Sequence, residues 1–370
     1  MKIVLLYLGK KGAGPMYAYE FTKALLDKKI EILVFISTYI ENIELWNNLE
    51  YSYNNIKIIK VNTFNNIKEF IINSFKLNIY YKIIKETCSF NPNLILMPMI
   101  HPWHNIIINF IPKKIKKVKV IHDAKVHKGE DNIFNKLLSW IDIKLSDELI
   151  VLSEFSKNQL QQRIGNKRKI VVIPHANFSI YNNINTTSTA STDLYYKIGF
   201  FGRINKYKGL DVLLKAFCML VKESKKYKLL IAGNGEISNY LNDFQKLENN
   251  LELNIKWIAD EEIASLINKV DVVVLPYTEA SQSGVIPLAF SLGKPVIASN
   301  VGGIPEQVPT NTGILVPPND PNALLNAIKD MYKNPTKMHV MGNYAKKYAI
   351  DFLSWESSAN IFVNEIIINN

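Results

Sequence analysis

The sequence predicts an α/β protein built from two doubly wound, parallel-sheet domains. Three observations lead there. The chain has 370 residues, 48% of them hydrophobic, with mean hydropathy near zero, which suits two ordinary cores rather than one. Short, unbroken β-branched runs such as Val272 to Leu275 read as strands buried on both faces. Glycine- or serine-rich loops follow several of these runs and lead into helical periodicity, the strand, loop, helix order of a parallel sheet.

The elements follow in order. Lys2 to Leu8 is a first strand; its apolar run is too short and too quickly followed by charge for a signal peptide. Gly9 to Pro15 is a glycine-rich turn before a helix over 16–26. Gly9, Gly12 and Gly14 do not make the dinucleotide G-x-G-x-x-G spacing, which disfavours a dehydrogenase. Strands are expected at 31–35, 94–97, 118–121, 148–152 and 170–173. Ser153 is a helix cap, and Pro174-His175 follows the last of these strands. Residues 40–95 are rich in Asn, Ile, Lys and Tyr but keep apolar periodicity. Residues 182–193, polar and without pattern, read as the linker between a first domain at 1–181 and a second at 194–354.

In the second domain, a strand ends at Gly202-Arg203. A short loop brings Lys208-Gly209 to the start of a helix over 210–217, so two cations flank one loop at the carboxyl end of a strand. The Arg fork and the Lys point charge suit a diphosphate; from this stretch alone a solvated surface pair is the favoured reading. Another strand, 228–232, ends in Gly233-Asn234-Gly235-Glu236, and a loop at Trp257 to Asp260 follows the next. After Val272 to Leu275, Ser281-Gln282-Ser283-Gly284 precede a helix from Val285 to Leu292, whose first-turn N–H groups are expected to stay open to an anion. Gly293 and Pro295 end that helix, a strand follows to Ser299, and Gly302-Gly303 opens a last loop. Helices at 321–332 and 335–348 precede a terminal helix from Trp355.

F-G-R-I-N-K-Y-K-G-L-D-V-L-L-K-A-F, L-L-I-A-G-N-G-E, D-V-V-V-L-P-Y, G-K-P-V-I-A-S-N-V-G-G-I-P-E-Q-V and T-G-I-L-V-P-P-N-D-P stand in this order across 198–330. This half resembles the donor domain of retaining glycosyltransferases of family 4, also called group 1; the first half matches weakly. The resemblance implies the GT-B fold, with two Rossmann-like domains facing a central cleft and a terminal helix, 355–370, crossing back to the first domain. It implies a nucleotide-diphosphate (NDP) sugar donor, a glycan or lipid-linked glycan acceptor, and no required metal or other cofactor. In these terms Arg203 and Lys208 neutralise the leaving diphosphate, His122 at the end of the 118–121 strand meets the sugar or acceptor, and Glu279 touches the sugar. Gly12, Gly14, Gly202, Gly235, Glu236, Ser281, Gln282, Ser283, Gly284 and Val285 line the donor. His127 and Glu130 are weaker acceptor-side candidates, whereas His101 and His104 read rather as a loop packed on the domain.

One departure stands out. The family carries two glutamates eight positions apart, and those positions here are Ala280 and Leu288. Glu279 is adjacent to the first, and nothing replaces the second. A catalytically silent NDP-sugar-binding or scaffold protein of the same fold is therefore the alternative.

Charge and cysteine usage bound the setting. Residues 1–180 hold 26 Lys and Arg against 15 Asp and Glu, while 181–370 hold 18 of each, so the net +11 lies in the first half. Nucleic acid is not an expected partner, since the aromatic and basic spacing of RNA or DNA modules is absent. Ile106 to Ile111 followed by the lysines at 113, 114, 116, 117 and 119 suits either peripheral contact with an anionic membrane or a core helix and a solvated turn. Cys88 and Cys218 read as buried structural thiols in a reducing, cytoplasmic compartment, and no run reaches the length of a membrane span.

Overall fold

The computed structural model describes residues 1–123, 133–177 and 195–368; of 133–136, 260 and 261 it describes the backbone alone. The described residues fall into two compact units. The first holds 1–123, 133–174 and 355–368, and the second holds 175–177 and 195–354. The division thus falls between Pro174 and His175 rather than at 181. The Asn177 N–H donates to the Leu353 carbonyl at 2.8 Å, within the second unit. The expected linker, 182–193, lies outside the described residues, as do His127 and Glu130.

The first unit is a parallel sheet of seven strands: β1 (Lys2–Tyr7), β2 (Glu31–Ser37), β3 (Ile56–Val61), β4 (Leu94–Met97), β5 (Lys116–Ile121), β6 (Glu148–Val151) and β7 (Lys169–Val172). Their order is β3-β2-β1-β4-β5-β6-β7. The second unit has six: β8 (Tyr196–Phe201), β9 (Tyr227–Ala232), β10 (Leu251–Asn254), β11 (Val272–Leu275), β12 (Val296–Ser299) and β13 (Gly313–Val316), ordered β10-β9-β8-β11-β12-β13 and likewise parallel. In each sheet the winding reverses beside its first strand, between β1 and β4 and between β8 and β11. The crevice outside the carboxyl ends of such a pair is where doubly wound sheets bind ligands.

Central strands are apolar throughout because helices cover both faces: Ile3 to Tyr7, Ile32 to Ile36 and Val272 to Leu275 are all buried. Ser153 caps the helix Glu154–Ile164 by accepting the Ser156 N–H. The terminal helix Trp355–Phe362 packs on Ala13–Asp27 within the first unit. Trp355 meets Tyr17 edge-on at 5.0 Å and Phe362 meets Phe21 at 5.4 Å. Burying side chains of this size contributes about 1.5–3 kcal/mol each.

Two expectations change. The lysine run is a surface only at its start, because it enters β5: Lys119 is fully buried, 2.9 Å from the Asp142 carboxylate, and donates to the Met99 carbonyl at 2.7 Å. Lys117 is buried too, which leaves only Lys113 and Lys114 exposed. Cys88 is exposed rather than buried, because the helix Leu77–Phe90 buries Tyr80, Ile83 and Thr87 and position 88 falls off that stripe. Cys218 is half-buried, and both thiols are free.

Candidate active site

In the second unit the loops after β8, β9 and β11 close on one another, and glycine is what lets them. Gly209 has φ +69°, and a Cβ there would lie 1.8 Å from the Pro276 carbonyl oxygen. A Cβ on Gly233 would lie 1.9 Å from the Gly202 carbonyl oxygen. No side chain fits at either place. Gly202 and Gly235 belong to the same packing: Gly202 donates its N–H to Ala232, and Gly235 pairs with Ile204.

This packing brings together the cations and the loop after β11. Arg203 is exposed on the loop leaving β8. Lys208 closes the 3₁₀ turn Lys206–Lys208, with its ammonium 4.0 Å from the centroid of the Tyr277 ring, in cation–π contact. The Thr278 N–H donates to the Tyr207 carbonyl at 2.8 Å, which pins one loop to the other. Both cations therefore stand at the carboxyl ends of β8 and β11, the reversal point of this sheet. Glu279 is half-buried on the same loop. Glu236 is exposed beyond β9, where the Ser238 N–H donates to its carboxylate and, as the leading cause, holds its pKa below the usual carboxylate value.

Ser281 and Ser283 are buried and Gly284 is exposed. The Ser283 N–H donates to Gln307 Oε1 at 2.6 Å, while Gln307 Nε2 donates to the Ser283 carbonyl at 3.1 Å. The Ser283 hydroxyl lies 3.0 Å from the Tyr277 hydroxyl and accepts the Val285 N–H at 3.3 Å. The helix runs Val285–Ser291. Its entry is thus less open than the sequence suggests, because the amides of Ser283 and Val285 are already paired within the protein. Gln282 Oε1 is buried and has no hydrogen-bond partner, which leaves an acceptor beside this entry.

Two residues at this site were not among the expected donor contacts. Gln307, on the short helix Ile304–Gln307 after β12, holds Ser283 through both backbone groups. His175 is buried with Nδ1 2.8 Å from the Ala176 carbonyl, and a Cβ on Gly284 would come within 3.7 Å of its Nε2. The Pro174-His175 pair marked a strand end in the sequence, but its proximity to Gly284 is a tertiary contact. Ala280 and Leu288, the positions of the family glutamates, are both buried.

The first unit presents its own strand-end residues. His122, one residue past β5, holds its Nε2 2.9 Å from the Pro98 carbonyl and packs edge-on against Tyr17. A carbonyl only accepts, so Nε2 carries the proton and Nδ1 is left as an acceptor. Desolvation lowers the His122 pKa, with the Pro98 bond opposing, and the ring is neutral at pH 7.

Gly12 caps the helix Ala13–Asp27 with φ +95°, but its N–H already donates to Glu41 Oε1 at 3.0 Å. Gly14 packs against the Tyr7 hydroxyl, where a Cβ would lie 2.6 Å away. A carboxylate on the leading amide is the opposite of an open phosphate cradle. The donor role expected of Gly12 would therefore require Glu41 to move.

His101 and His104 are packing residues, as the sequence favoured. His101 accepts the Trp103 N–H and stacks on Phe64, and His104 lies beside Lys119.

A doubly wound pair of parallel sheets, with two cations and a serine-containing loop at one reversal point, defines a Rossmann-type α/β protein. Comparison with known proteins narrows the class. Residues 195–334 match the model of the Glycosyl transferases group 1 family. An uncharacterized glycosyltransferase of Methanocaldococcus jannaschii is 25% identical over 95% of this chain and 94% of its own length. The capsular polysaccharide biosynthesis glycosyltransferase CapM of Staphylococcus aureus is 26% identical over 70% of this chain and 74% of its own. Among solved structures, Anabaena HepE in complex with UDP superposes with a TM-score of 0.72 over 99% of both chains at 18% identity. The chain has the GT-B fold, and its second domain is similar to the group 1 glycosyltransferases.

Proposed function

We propose that the protein moves a hexose from a nucleotide-diphosphate sugar, with retained anomeric configuration and without a metal, to a glycan or lipid-linked glycan acceptor in bacterial surface polysaccharide assembly. The observation that carries this reading is the pair of cations, Arg203 and Lys208, at the β8/β11 reversal point. As the bond from the anomeric carbon to the diphosphate breaks and the acceptor oxygen takes its place, negative charge grows on the leaving oxygen. Fixed cations beside it stabilise that charge more than they stabilise the bound donor. On this reading the unpaired Gln282 oxygen, Glu279 and the exposed Gly284 receive the donor, and the Nδ1 lone pair of His122 meets the sugar or an acceptor hydroxyl. The UDP held by HepE and the capsular role in the name of CapM support the donor class and the polysaccharide setting.

The second reading, a silent NDP-sugar-binding protein, rests on the burial of apolar Ala280 and Leu288 where the family carries carboxylates. One experiment separates the two. UDP- and GDP-sugars are screened by thermal shift, since a tight ligand raises stability by mass action, and each binder is then assayed for release of nucleoside diphosphate. Slow hydrolysis of one donor is expected. Saturable binding with no diphosphate released from any donor would establish the silent protein instead. NMR of the transferred anomer tests retention.

A further inference from the structure

The helices Ile67–Ser74 and Leu77–Phe90 follow one another with only Phe75 and Lys76 between them. Their inner side is ordinary, with Asn73, Tyr80 and Ile83 buried. Their outer side is not. Ile67, Phe75 and Leu77 are between 77% and 80% exposed, and Ile71, Ile72 and Tyr81 between 48% and 64%. Single exposed apolar residues are normal on any protein, but six large ones within fifteen positions form a patch that marks an interaction surface.

The exposed charges beside that patch are lysines. Lys68, Lys76, Lys82 and Lys85 are exposed in the same stretch. The neighbouring acids are occupied: Glu69 accepts from Asn65 and Asn66 at the start of the first helix, and Glu86 pairs with Lys57 at 3.0 Å.

We propose that this face lies on an anionic lipid bilayer. Phe75 and Leu77, at the turn between the helices, enter the boundary of headgroups and acyl chains, and the four lysines meet lipid phosphates. The interleaving of lysines with apolar side chains favours a lipid surface over a protein groove, since a bilayer supplies negative charge and hydrocarbon everywhere along the face. Among the described residues no helix is long and apolar enough to cross a membrane, so the contact is peripheral. This places the membrane contact on residues 67–85 rather than on the lysine run that enters β5. Its biological sense rests on the lipid-linked acceptor reading, but its test reads binding alone.

Flotation of the full chain with vesicles of phosphatidylcholine, or of phosphatidylcholine with phosphatidylglycerol, at physiological salt provides that test. Wild type is expected to float with the anionic vesicles only. Changing Lys68, Lys76, Lys82 and Lys85 to Gln should lower partitioning at least about 100-fold. The pair Phe75→Ser and Leu77→Ser, which leaves the charge unchanged, should lower it about 10-fold or more. Unchanged far-UV circular dichroism and Tm would show that the variants remain folded. Lys113→Gln with Lys114→Gln should float nearly as wild type does. The proposal is overturned if wild type ignores anionic vesicles, if the Ser pair floats as well as wild type, or if the control pair carries the loss. It is also overturned if gel filtration shows a wild-type dimer that the Ser pair dissolves, which would give the face to a second copy.

Discussion

The Lys208 ammonium stands 4.0 Å from the centre of the Tyr277 ring, while the Tyr277 hydroxyl lies 3.0 Å from the Ser283 hydroxyl. A cation from the loop after β8 is thereby coupled, through one aromatic ring, to the serine at the entry of the helix after β11. The ring attracts the ammonium with its face and holds the loop with its hydroxyl. This preorganises positive charge at the sheet reversal before any ligand arrives.

If that charge stabilises a leaving diphosphate, Arg203→Ala and Lys208→Ala should each lower turnover about 100-fold or more, with smaller effects on donor affinity. Steady-state rates with the donor identified by thermal shift measure it. Near-wild-type turnover in both folded variants would remove the assignment.

Glu279 is the nearest carboxylate to the position where the family carries its first glutamate. If it receives the sugar, Glu279→Ala should change the preference between two sugars on the same nucleotide more than it changes nucleotide affinity, because the phosphate contacts remain. Competition between the two donors reads the ratio directly, and an unchanged ratio would make Glu279 a bystander.

The central strands and the loops after β8, β9 and β11 were legible in the sequence for physical reasons. Val272 to Leu275 matches its strand because full burial demands an unbroken apolar run, and Gly209 and Gly233 stand where backbones nearly touch. The strands β3 and β13 are not legible in the sequence, because partial burial leaves their patterns mixed: in Ile56–Val61 apolar residues interleave with lysines, and Gly313–Val316 is only part-buried. Lys119 misled because a buried lysine with a buried partner looks in sequence like any surface lysine. Its partner Asp142 is 23 positions away on another element. Gln307 was invisible as a site residue for the same reason, since its two bonds to Ser283 span 24 positions.

Gln307 clamps Ser283 with one donor and one acceptor, so its variants separate structure from binding. Gln307→Leu strands a buried N–H and a buried carbonyl and should cost about 2 kcal/mol or more in stability. Gln307→Glu keeps an acceptor for the Ser283 N–H but loses the second bond and places a negative charge behind the loop. It should weaken nucleotide-sugar affinity more than it lowers Tm. Differential scanning calorimetry and titration calorimetry on the two variants decide this, and wild-type affinity in both would show that the clamp does not shape the donor loop.

The histidines of the first unit predict how its stability depends on pH. Burial, with Lys119 nearby, pushes the His101 pKa down to about 3 from 6.5, and burial, with Lys119 and His101 nearby, holds His104 well below its usual value. Desolvation also lowers His122. In each case the folded state holds a neutral ring that the unfolded chain would protonate. No penalty exists above pH 6.5, and stability is lost as pH falls from there toward the folded pKa. For His101 the loss approaches about 1.4 kcal/mol per pH unit across most of that window. Urea unfolding followed by tryptophan fluorescence reports mainly the first unit, where Trp46, Trp103 and Trp355 are buried. Its midpoint should fall steeply between pH 7 and pH 5. His101→Asn, which cannot titrate, should lower the midpoint at pH 7 through lost packing on Phe64 yet show a shallower fall toward pH 5. A variant slope equal to the wild-type slope would mean that His101 already shares its protonation behaviour with the unfolded chain.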